Sequence, residues 1–486
     1  MKNSIQSVFV ILLIFLIGCR NHEEFQINPN STTNANPGLL LTGIEVNAFN
    51  SIDLNAAMAC RYLVNVNLVN DFQYYGWDRA GFGFYGTLRQ VQKMEEEAVA
   101  FDNTNYVAIA KFFRAFVYEQ ITRQFGDIPF SESMRAEELL ITPAYDDQKT
   151  VYLGILNLLE EANEQIDPNS DPITGDIVFN GDISKWQKLI NSYRLRVLMS
   201  LSLKENDADL NIANTFNSIY SNPERYPIMQ SVEDNCQYTY SEETGNTYPF
   251  WRSASITTSY ILEESFINKF KDFSDPRLFV IAAPEIASAG MDEFSFDSYS
   301  GFNGSAPIDV NTTKLGLGEG SPLDDRYIED SEAEPNLAFG FAELNFTVAE
   351  AANRGWISAD PAEFYLRGIK ASMQFYNINE AEVNDYLSQE GVVYNPANGL
   401  EQILTQKYLA MFLNSGWEPF YNNRRTGIPE FDTSGGGTLN QGMVPKRWMY
   451  PTSEINQNQQ NLEEAIQRQF PQGDNINGVM WSIDPE

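Results

Sequence analysis

Apolar residues recur at helical spacing over several long stretches of the chain. Between Tyr106 and Gly126 they fall at positions 106, 109, 112, 113, 116, 117 and 121, and residues 151–166 repeat the pattern. A stripe of large apolar residues then runs from Ile183 to Leu201, which is about five turns of helix. Further helices are predicted at 343–355, 361–376, 380–388 and 399–414. The pattern therefore predicts a mostly α-helical fold.

The predicted helices follow one another in pairs. Amphipathic pairs of this length favour the helix-turn-helix stacking of tetratricopeptide repeats, although the sequence has no strict repeat period and unrelated packed helices fit the same pattern. Residues 222–340 differ, because Ser, Thr, Asn, Gly and Pro surround scattered aromatic residues there, and Pro284–Leu337 is predicted as long loops with short strands. Long loops are usually functional or disordered, so this region is the first place to expect a binding surface. The irregular stretch from Gly427 to Glu486 is expected to lie across the helical body.

The N-terminus has the architecture of a secretory signal. Lys2 precedes an apolar run from Val8 to Ile17, which is too short to cross a bilayer, because a spanning helix needs roughly 20 apolar residues. Cys19 follows Leu16-Ile17-Gly18 directly and resembles the lipidated cysteine of a bacterial lipobox. An ordinary signal peptide with an incidental cysteine is the alternative. We expect a signal peptide at 1–18, a lipidated flexible leader at 19–38 and a single domain at 39–486.

Composition excludes several classes of function. The chain has 66 acidic and 32 basic residues and a net charge of −34, so its surface repels phosphate and nucleic acid binding is not expected. The single histidine, His22, lies in the leader, which leaves no imidazole for a catalytic triad or a histidine zinc site. Beyond Cys19 the chain has only Cys60 and Cys236, for which buried thiols are favoured and a disulfide stays open. We expect no cofactor.

Five segments, in this order along the chain, together carry a family resemblance. They are Phe113–Tyr118 with Arg123–Pro129, Gly181–Trp186 with Asn191–Arg196, Ala342–Phe346 with Ala349–Ala352 and Gly368–Ser372, Gln406–Tyr408 with Arg424–Pro429, and Pro445–Glu454. With the lipobox, they resemble the SusD/RagB family of outer-membrane nutrient-binding lipoproteins from Bacteroidetes. Each segment alone is weak evidence, but their order covers most of the chain.

The resemblance implies a location and a role. Such proteins are lipid-anchored, mostly α-helical lids with tetratricopeptide-like units, and they sit on a SusC-like TonB-dependent transporter. They bind oligosaccharides, or in some members peptides, and deliver them to that transporter. The acidic pair Glu23-Glu24 resembles a surface-export signal of these lipoproteins. We therefore expect a protein at the cell surface, held at the outer membrane by its lipid alone and without enzymatic activity.

The residues that carry the resemblance are expected to build the scaffold. Asp182 can cap the helix that buries Trp186. Arg194 and Arg196 lie inside an apolar stripe, which favours pairing with carboxylates at a helix junction over contact with a ligand. The pair Arg424-Arg425 is expected to hold the C-terminal segment by the same kind of contact.

Candidate ligand residues come from loops that are rich in aromatic side chains. Sugar rings have apolar faces edged by hydroxyl groups, so a glycan site needs exposed aromatic platforms beside polar groups. Two loops meet this requirement, Asp71–Asp78 and Phe294–Asn303, and packing in the core is the alternative for every ring. The candidates are Tyr74, Tyr75, Trp77, Asp78, Tyr299 and Phe302.

Acidic clusters suggest two further possibilities. Asp167–Asp171 begins like a calcium loop, but Pro172 and Val178 stand where an EF-hand needs glycine and glutamate, and a solvated loop is favoured for Asp324–Glu334. We therefore expect no metal site. A glycoside hydrolase with two carboxylates stays open as an alternative function, because only the separation of the carboxylates in space can decide it. A lid that captures peptides is the other alternative.

Overall fold

A computed structural model describes residues 36–50 and 52–485. The predicted signal peptide, Cys19 and most of the leader lie outside these residues. The helices, numbered in chain order, are α1 Pro37–Phe49, α2 Leu54–Ala59, α3 Tyr85–Ala100, α4 Thr104–Phe125, α5 Gln148–Gln165, α6 Ile183–Ser200, α7 Ile212–Ser221, α8 Ala254–Ser259, α9 Glu264–Asp272, α10 Leu278–Ile281, α11 Ile308–Gly316, α12 Arg326–Glu329, α13 Phe341–Asn353, α14 Pro361–Phe375, α15 Glu380–Leu387, α16 Gly399–Ala410, α17 Glu418–Thr426, α18 Thr452–Gln457 and α19 Gln459–Gln469. In the described ranges, no helix is long and apolar enough to pass through a bilayer.

Strands contribute little to the described part of the fold. They are β1 Leu63–Asn65, β2 Cys236–Tyr238, β3 Tyr260–Leu262 and β4 Asn336–Phe339. β1 pairs with β3 and β2 pairs with β4, both antiparallel, with Leu63 opposite Leu262 and Tyr238 opposite Asn336. The β1–β3 pair joins the loop-rich middle of the chain to an earlier segment, whereas the β2–β4 pair joins two distant parts of that middle region to each other.

The predicted helical fold is confirmed. Consecutive helices pack as pairs, with α3 against α4, α4 against α5 and α13 against α14, as expected for tetratricopeptide-like stacking. The loop-rich middle is also present, although it holds several short helices, among them α8 to α12. The C-terminal stretch is less irregular than expected, since α18 and α19 lie within it. α19 buries only Leu462 and Ala465, so its apolar pattern is too sparse to predict a helix.

The predicted scaffold roles of Asp182 and Trp186, at the start of α6, are confirmed. Asp182 accepts hydrogen bonds from the backbone N–H groups of Ser184 and Lys185, which satisfies donors at the first turn of α6. Trp186 is buried, and its indole N–H donates to Asp176 at 3.0 Å. The tryptophan therefore fixes the loop before α6 as well as the helix itself.

Buried ion pairs join α4, α6, α13 and α17. The Glu418 carboxylate accepts from Arg123 at 2.5 Å and from Arg196 at 2.8 Å. Arg123 also pairs with Glu119 at 3.0 Å, and Arg196 lies 3.3 Å from Glu343. All these side chains are buried. The prediction that Arg196 binds carboxylates at a helix junction is confirmed, and the junction involves four helices.

The other predicted arginines have similar roles. Arg194 pairs with Glu160, and Arg425 pairs with Glu350 at 2.5 Å. Arg424 holds the C-terminal segment differently, because it donates to the backbone carbonyl oxygen of Lys446 at 2.6 Å. The C-terminal segment is therefore attached to α17 through a main-chain contact.

Both cysteines of the described chain are free thiols. Cys60 and Cys236 are fully buried and form no disulfide, so the favoured interpretation of buried thiols is confirmed. Burial raises the pKa of each thiol well above its usual value. Neither thiol is therefore suited to act as a nucleophile.

A buried pair of carboxyl groups attaches α1 to the loop before α6. Glu45 accepts a hydrogen bond from the backbone N–H of Ile177 at 2.8 Å and lies beside Asp176. Burial, together with the nearby Asp176 carboxylate, raises the pKa of Glu45 from 4.5 to about 10. Glu45 is therefore protonated at neutral pH and can donate its proton to Asp176.

We predict that Glu45→Gln raises the thermal unfolding midpoint at pH 8 and changes it little at pH 4.5. The folded state holds a proton that the unfolded state releases above about pH 4.5, so wild-type stability falls as the pH rises from there towards 10. A glutamine amide can make the same two hydrogen bonds without a proton. The measurement is differential scanning fluorimetry at both pH values, with the exposed Glu401→Gln as control. A pH-independent difference between Glu45→Gln and wild type would contradict this account.

Candidate functional site

Most of the aromatic side chains in the early loop, Asp71–Asp78, are buried. Tyr74, Tyr75 and Trp77 are 2%, 0% and 4% exposed, whereas Asp78 is exposed. The Tyr75 hydroxyl donates to the carbonyl oxygen of Ala59 at 2.9 Å. These rings hold the loop onto the helical body.

The two candidate rings of the central loop are also buried and lie apart from each other. Tyr299 packs against Phe279 with ring centroids 5.6 Å apart, and its hydroxyl donates to the carbonyl oxygen of Glu293. Phe302 belongs to a small apolar cluster with Val64 and Ile261 of the β1–β3 sheet. The two rings therefore do not form one platform.

The early loop and the central loop meet at a different place. The Tyr74 hydroxyl donates to the carbonyl oxygen of Ala306 at 3.0 Å, and the Tyr74 carbonyl oxygen accepts from the backbone N–H of Leu439 at 2.8 Å. A glycine-rich segment, residues 432–443, thus joins both loops. Gly437 completes the junction by donating its backbone N–H to the carbonyl oxygen of Ser305 at 2.7 Å.

The prediction of exposed aromatic platforms is wrong for all five aromatic candidates, because each of their rings fills space in the interior. These are Tyr74, Tyr75, Trp77, Tyr299 and Phe302. A ligand contact by any of the six residues, including the exposed Asp78, stays a prediction.

Trp77 instead forms the inner part of a tryptophan cluster, which comprises Trp77, Trp417 and Trp448. Trp77 stacks on Trp448 with ring centroids 5.1 Å apart, and its indole N–H donates to the carbonyl oxygen of Arg447 at 3.1 Å. Trp417 meets Trp77 and Trp448 edge-on, at 6.0 and 4.8 Å. Trp417 is the member of the cluster that is partly exposed.

Trp417 borders a pocket of about 210 Å³, which we call the tryptophan pocket. Three aromatic rings and several amide side chains share it, a combination that suits a ligand with apolar faces and hydroxyl edges. The lining residues are Asn47, Ala48, Asp53, Phe84, Phe116, Gln120, Gln124, Arg196, Asn336, Leu337, Ala338, Ser415, Gly416 and Trp417.

The charged groups of the tryptophan pocket are already engaged within the protein. Asp53 caps α2 with one oxygen, and with the other it accepts from the indole N–H of Trp417 at 2.8 Å. Arg196 is held by Glu418 and Glu343. Asp53 is also the only carboxylate among the described residues that line this pocket. The lining therefore lacks the pair of carboxyl groups that most glycoside hydrolases use.

A larger hollow of about 660 Å³ lies near the start of α4, but its polar groups serve the local fold. Asn103 caps α4, and Asn105 bridges the Ser170 hydroxyl and the backbone N–H of Asp167. The Tyr106 hydroxyl donates to the carbonyl oxygen of Thr174. The tryptophan pocket is therefore the better candidate for a binding site. Among the described residues, no group of three acidic, histidine or cysteine side chains is arranged to hold a metal ion.

The sequence analysis missed the residues of the tryptophan pocket. Gln120 and Gln124 lie four residues apart on the largely buried α4, and Trp417 follows Ser415-Gly416 in a short connection between two helices. Two polar residues on one face of a buried helix can indicate that this face borders a pocket. Their proximity to Trp417 depends on contacts between distant segments, which no local pattern reports.

Comparison with known proteins identifies relatives over nearly the whole chain. The family model SusD-like, described as starch-binding and associating with the outer membrane, matches residues 29–451. No curated protein matches the chain.

Several solved structures have the same fold. A SusD homologue from Bacteroides fragilis is 37% identical, with a TM-score of 0.86, over 93% of this chain and 100% of that chain. An outer-membrane protein from Bacteroides vulgatus, whose description connects it with nutrient binding, is 35% identical, with a TM-score of 0.87 and the same coverage. A protein described as chitin-binding is 24% identical, with a TM-score of 0.76, over 92% of this chain and 100% of that chain.

We predict that Trp77→Ala lowers the free energy of unfolding by about 3–5 kcal/mol, because it leaves a cavity at the centre of the tryptophan cluster. The neighbouring Asp78→Ala should change it by less than about 0.5 kcal/mol, since Asp78 is exposed. Urea unfolding followed by tryptophan fluorescence measures both. Equal effects of the two substitutions would show that Trp77 does not support the fold.

Proposed function

The chain belongs to the SusD-like family, and we propose that it is a carbohydrate-binding protein that captures an oligosaccharide in the tryptophan pocket. One observation carries the choice of site: a partly exposed indole, Trp417, lies among the amide side chains of Gln120, Gln124 and Asn336. The name of the chitin-binding relative supports a carbohydrate as the ligand class.

The chemistry of the pocket fits a neutral saccharide. An indole face can cover the apolar face of a sugar ring, while amide groups both donate hydrogen bonds to hydroxyl groups and accept from them. The pocket volume of about 210 Å³ is below the roughly 300–1,000 Å³ of sites that enclose a drug-sized molecule. We therefore propose that one ring of the ligand enters and the rest of the oligosaccharide lies on the surface.

We further propose that the protein works at the outer membrane as a lid. The family description places its members in association with the outer membrane. Leu16–Cys19 resembles a lipobox, so lipid on Cys19 would hold the chain at the membrane while the leader allows it to move. The partner in this proposal is a SusC-like TonB-dependent transporter, to which the lid delivers its saccharide at the cell surface.

We predict that Trp417→Ala weakens oligosaccharide binding roughly tenfold or more, because stacking of the sugar ring is lost. Gln120→Ala should weaken it by a smaller factor through the loss of a hydrogen bond. The control is Gln374→Ala, which removes an exposed amide far from the pocket in sequence, on α14. Isothermal titration calorimetry with starch and chitin oligosaccharides measures the three variants.

The same titrations should include a peptide library. Binding of peptides without binding of any saccharide would contradict the proposed ligand class. Saccharide binding that is unchanged by both Trp417→Ala and Gln120→Ala would contradict the proposed site. Circular dichroism of each variant shows whether the fold is retained.

We predict that Cys19→Ala leaves the affinity for the saccharide unchanged but abolishes uptake, since delivery requires the lid to remain beside its transporter. Uptake of a labelled oligosaccharide by the native cell, together with the affinity of the purified variant, measures the two effects separately. Full uptake with the unanchored variant would show that the anchor is not needed for delivery.

A further inference from the structure

Arg424 stands out among the buried arginines of α17 and its neighbours. Arg123, Arg196 and Arg425 all pair with carboxylates, but Arg424 donates only to the backbone carbonyl oxygens of Arg123 and Lys446, at 2.8 and 2.6 Å. It is 7% exposed, and its Nε has no hydrogen-bond partner among the described residues. The rings of Tyr421 and Phe420 lie 4.5 and 5.6 Å from this guanidinium, but a buried cation that has no carboxylate beside it is still costly.

Lys446 places a second cation beside Arg424. Its side chain is partly buried, and within the described residues no carboxylate lies at ion-pair distance from it. Burial, with a contribution from the neighbouring Arg424, lowers the pKa of Lys446. Burial likewise lowers the pKa of Arg424 to about 10. Both shifts have the direction that burial gives a cation, and for Arg424 the more distant Glu418 carboxylate opposes the shift only in part.

The two cations line one pocket of about 430 Å³, which we call the Arg424 pocket. Phe431, Met443 and Val444 give it an apolar side. The one carboxylate among its lining residues, Glu430, is exposed and forms no ion pair with either cation in the described structure.

The local charge of this pocket contrasts with that of the whole chain. There are 66 acidic residues for 32 basic ones, so most basic side chains can find a carboxylate, and many do. Arg424 and Lys446 are neighbouring cations that form no ion pair with a carboxylate among the described residues. In a partly buried site such charges act strongly on a ligand, because water screens them less than at the surface. An anion in the pocket would restore the balance of charge.

We propose that the Arg424 pocket binds the anionic group of an acidic saccharide, a uronic acid carboxylate or a sulfate ester. Lys446 would contact the anion directly, and the buried Arg424 would attract it electrostatically from the interior. The apolar side of the pocket would pack against the sugar ring. This inference rests on the proposed carbohydrate ligand and narrows its class.

The rim of the Arg424 pocket is connected to the early loop and the central loop. Thr433 and Met443 belong to the glycine-rich segment that contacts Tyr74 and Ser305. Arg424 lies seven residues after Trp417, which is about 10 Å along a helix. Both pockets are therefore built on α17 and the residue that precedes it.

The test uses the methyl group of Met443, which is 45% exposed and lines the pocket, as an NMR probe in the intact protein. The ligands are glucuronate, glucose 6-sulfate, glucose and acetate. We expect glucuronate or glucose 6-sulfate to shift the Met443 signal, and the tighter of the two identifies the anionic group. Glucose and acetate should bind at least roughly tenfold more weakly, because glucose lacks the anionic group and acetate lacks the sugar ring.

Lys446→Gln should weaken the binding of the acidic sugar roughly tenfold, whereas Lys370→Gln, on the exposed face of α14, should leave it unchanged. Only the side chain of Lys446 is altered, so the main-chain contact with Arg424 remains. The inference is overturned if no acidic sugar shifts Met443, if glucose or acetate binds equally well, or if Lys446→Gln has no effect. The tryptophan pocket can still bind neutral saccharides in each of these cases, so the two proposals fail separately.

Discussion

Both proposed pockets depend on one interaction, the buried ion pairs that the Glu418 carboxylate forms with Arg123 and Arg196. Burial alone would raise the pKa of Glu418, but the two guanidinium groups lower it well below its usual value. The group is therefore charged at neutral pH, and it attaches α17 to α4 and α6. Removing one partner from such a buried pair costs about 3–5 kcal/mol, because the remaining charge is left without compensation.

This attachment determines where the chemistry lies. Trp417 directly precedes Glu418, so the ion pairs that hold Glu418 also place the indole at the mouth of the tryptophan pocket. Arg196 itself forms part of that pocket. Arg424 follows on the same helix and borders the second pocket. One short helix thus connects the recognition of an apolar sugar face with the recognition of an acidic group.

The buried rings of the early loop have a supporting role in this arrangement. Trp77 lies behind Trp417 and Trp448, so the partly exposed indole of Trp417 rests on a rigid aromatic layer. Tyr74 connects this loop with the central loop and the glycine-rich segment. A binding surface held in this way needs little reordering when a ligand arrives, which favours affinity.

The helices and their charged junctions could be predicted from sequence because they follow local rules. Periodic apolar residues defined α4 and α6, Asp182 marked the start of α6, and Arg196 in an apolar stripe required a carboxylate partner. The tryptophan pocket could not be predicted in this way. Gln120, Asn336 and Trp417 come from three distant segments, and only the folded chain brings them together. The prediction that the aromatic side chains of the two loops are exposed was wrong for the same reason, since tertiary packing decides which face of a loop is covered.

A crystal structure of the protein with a bound oligosaccharide tests the central claim most directly. The account predicts a sugar ring against the indole of Trp417, with its hydroxyl groups within hydrogen-bond distance of Gln120 or Gln124. A saccharide bound elsewhere on the protein, with the tryptophan pocket empty, would contradict it.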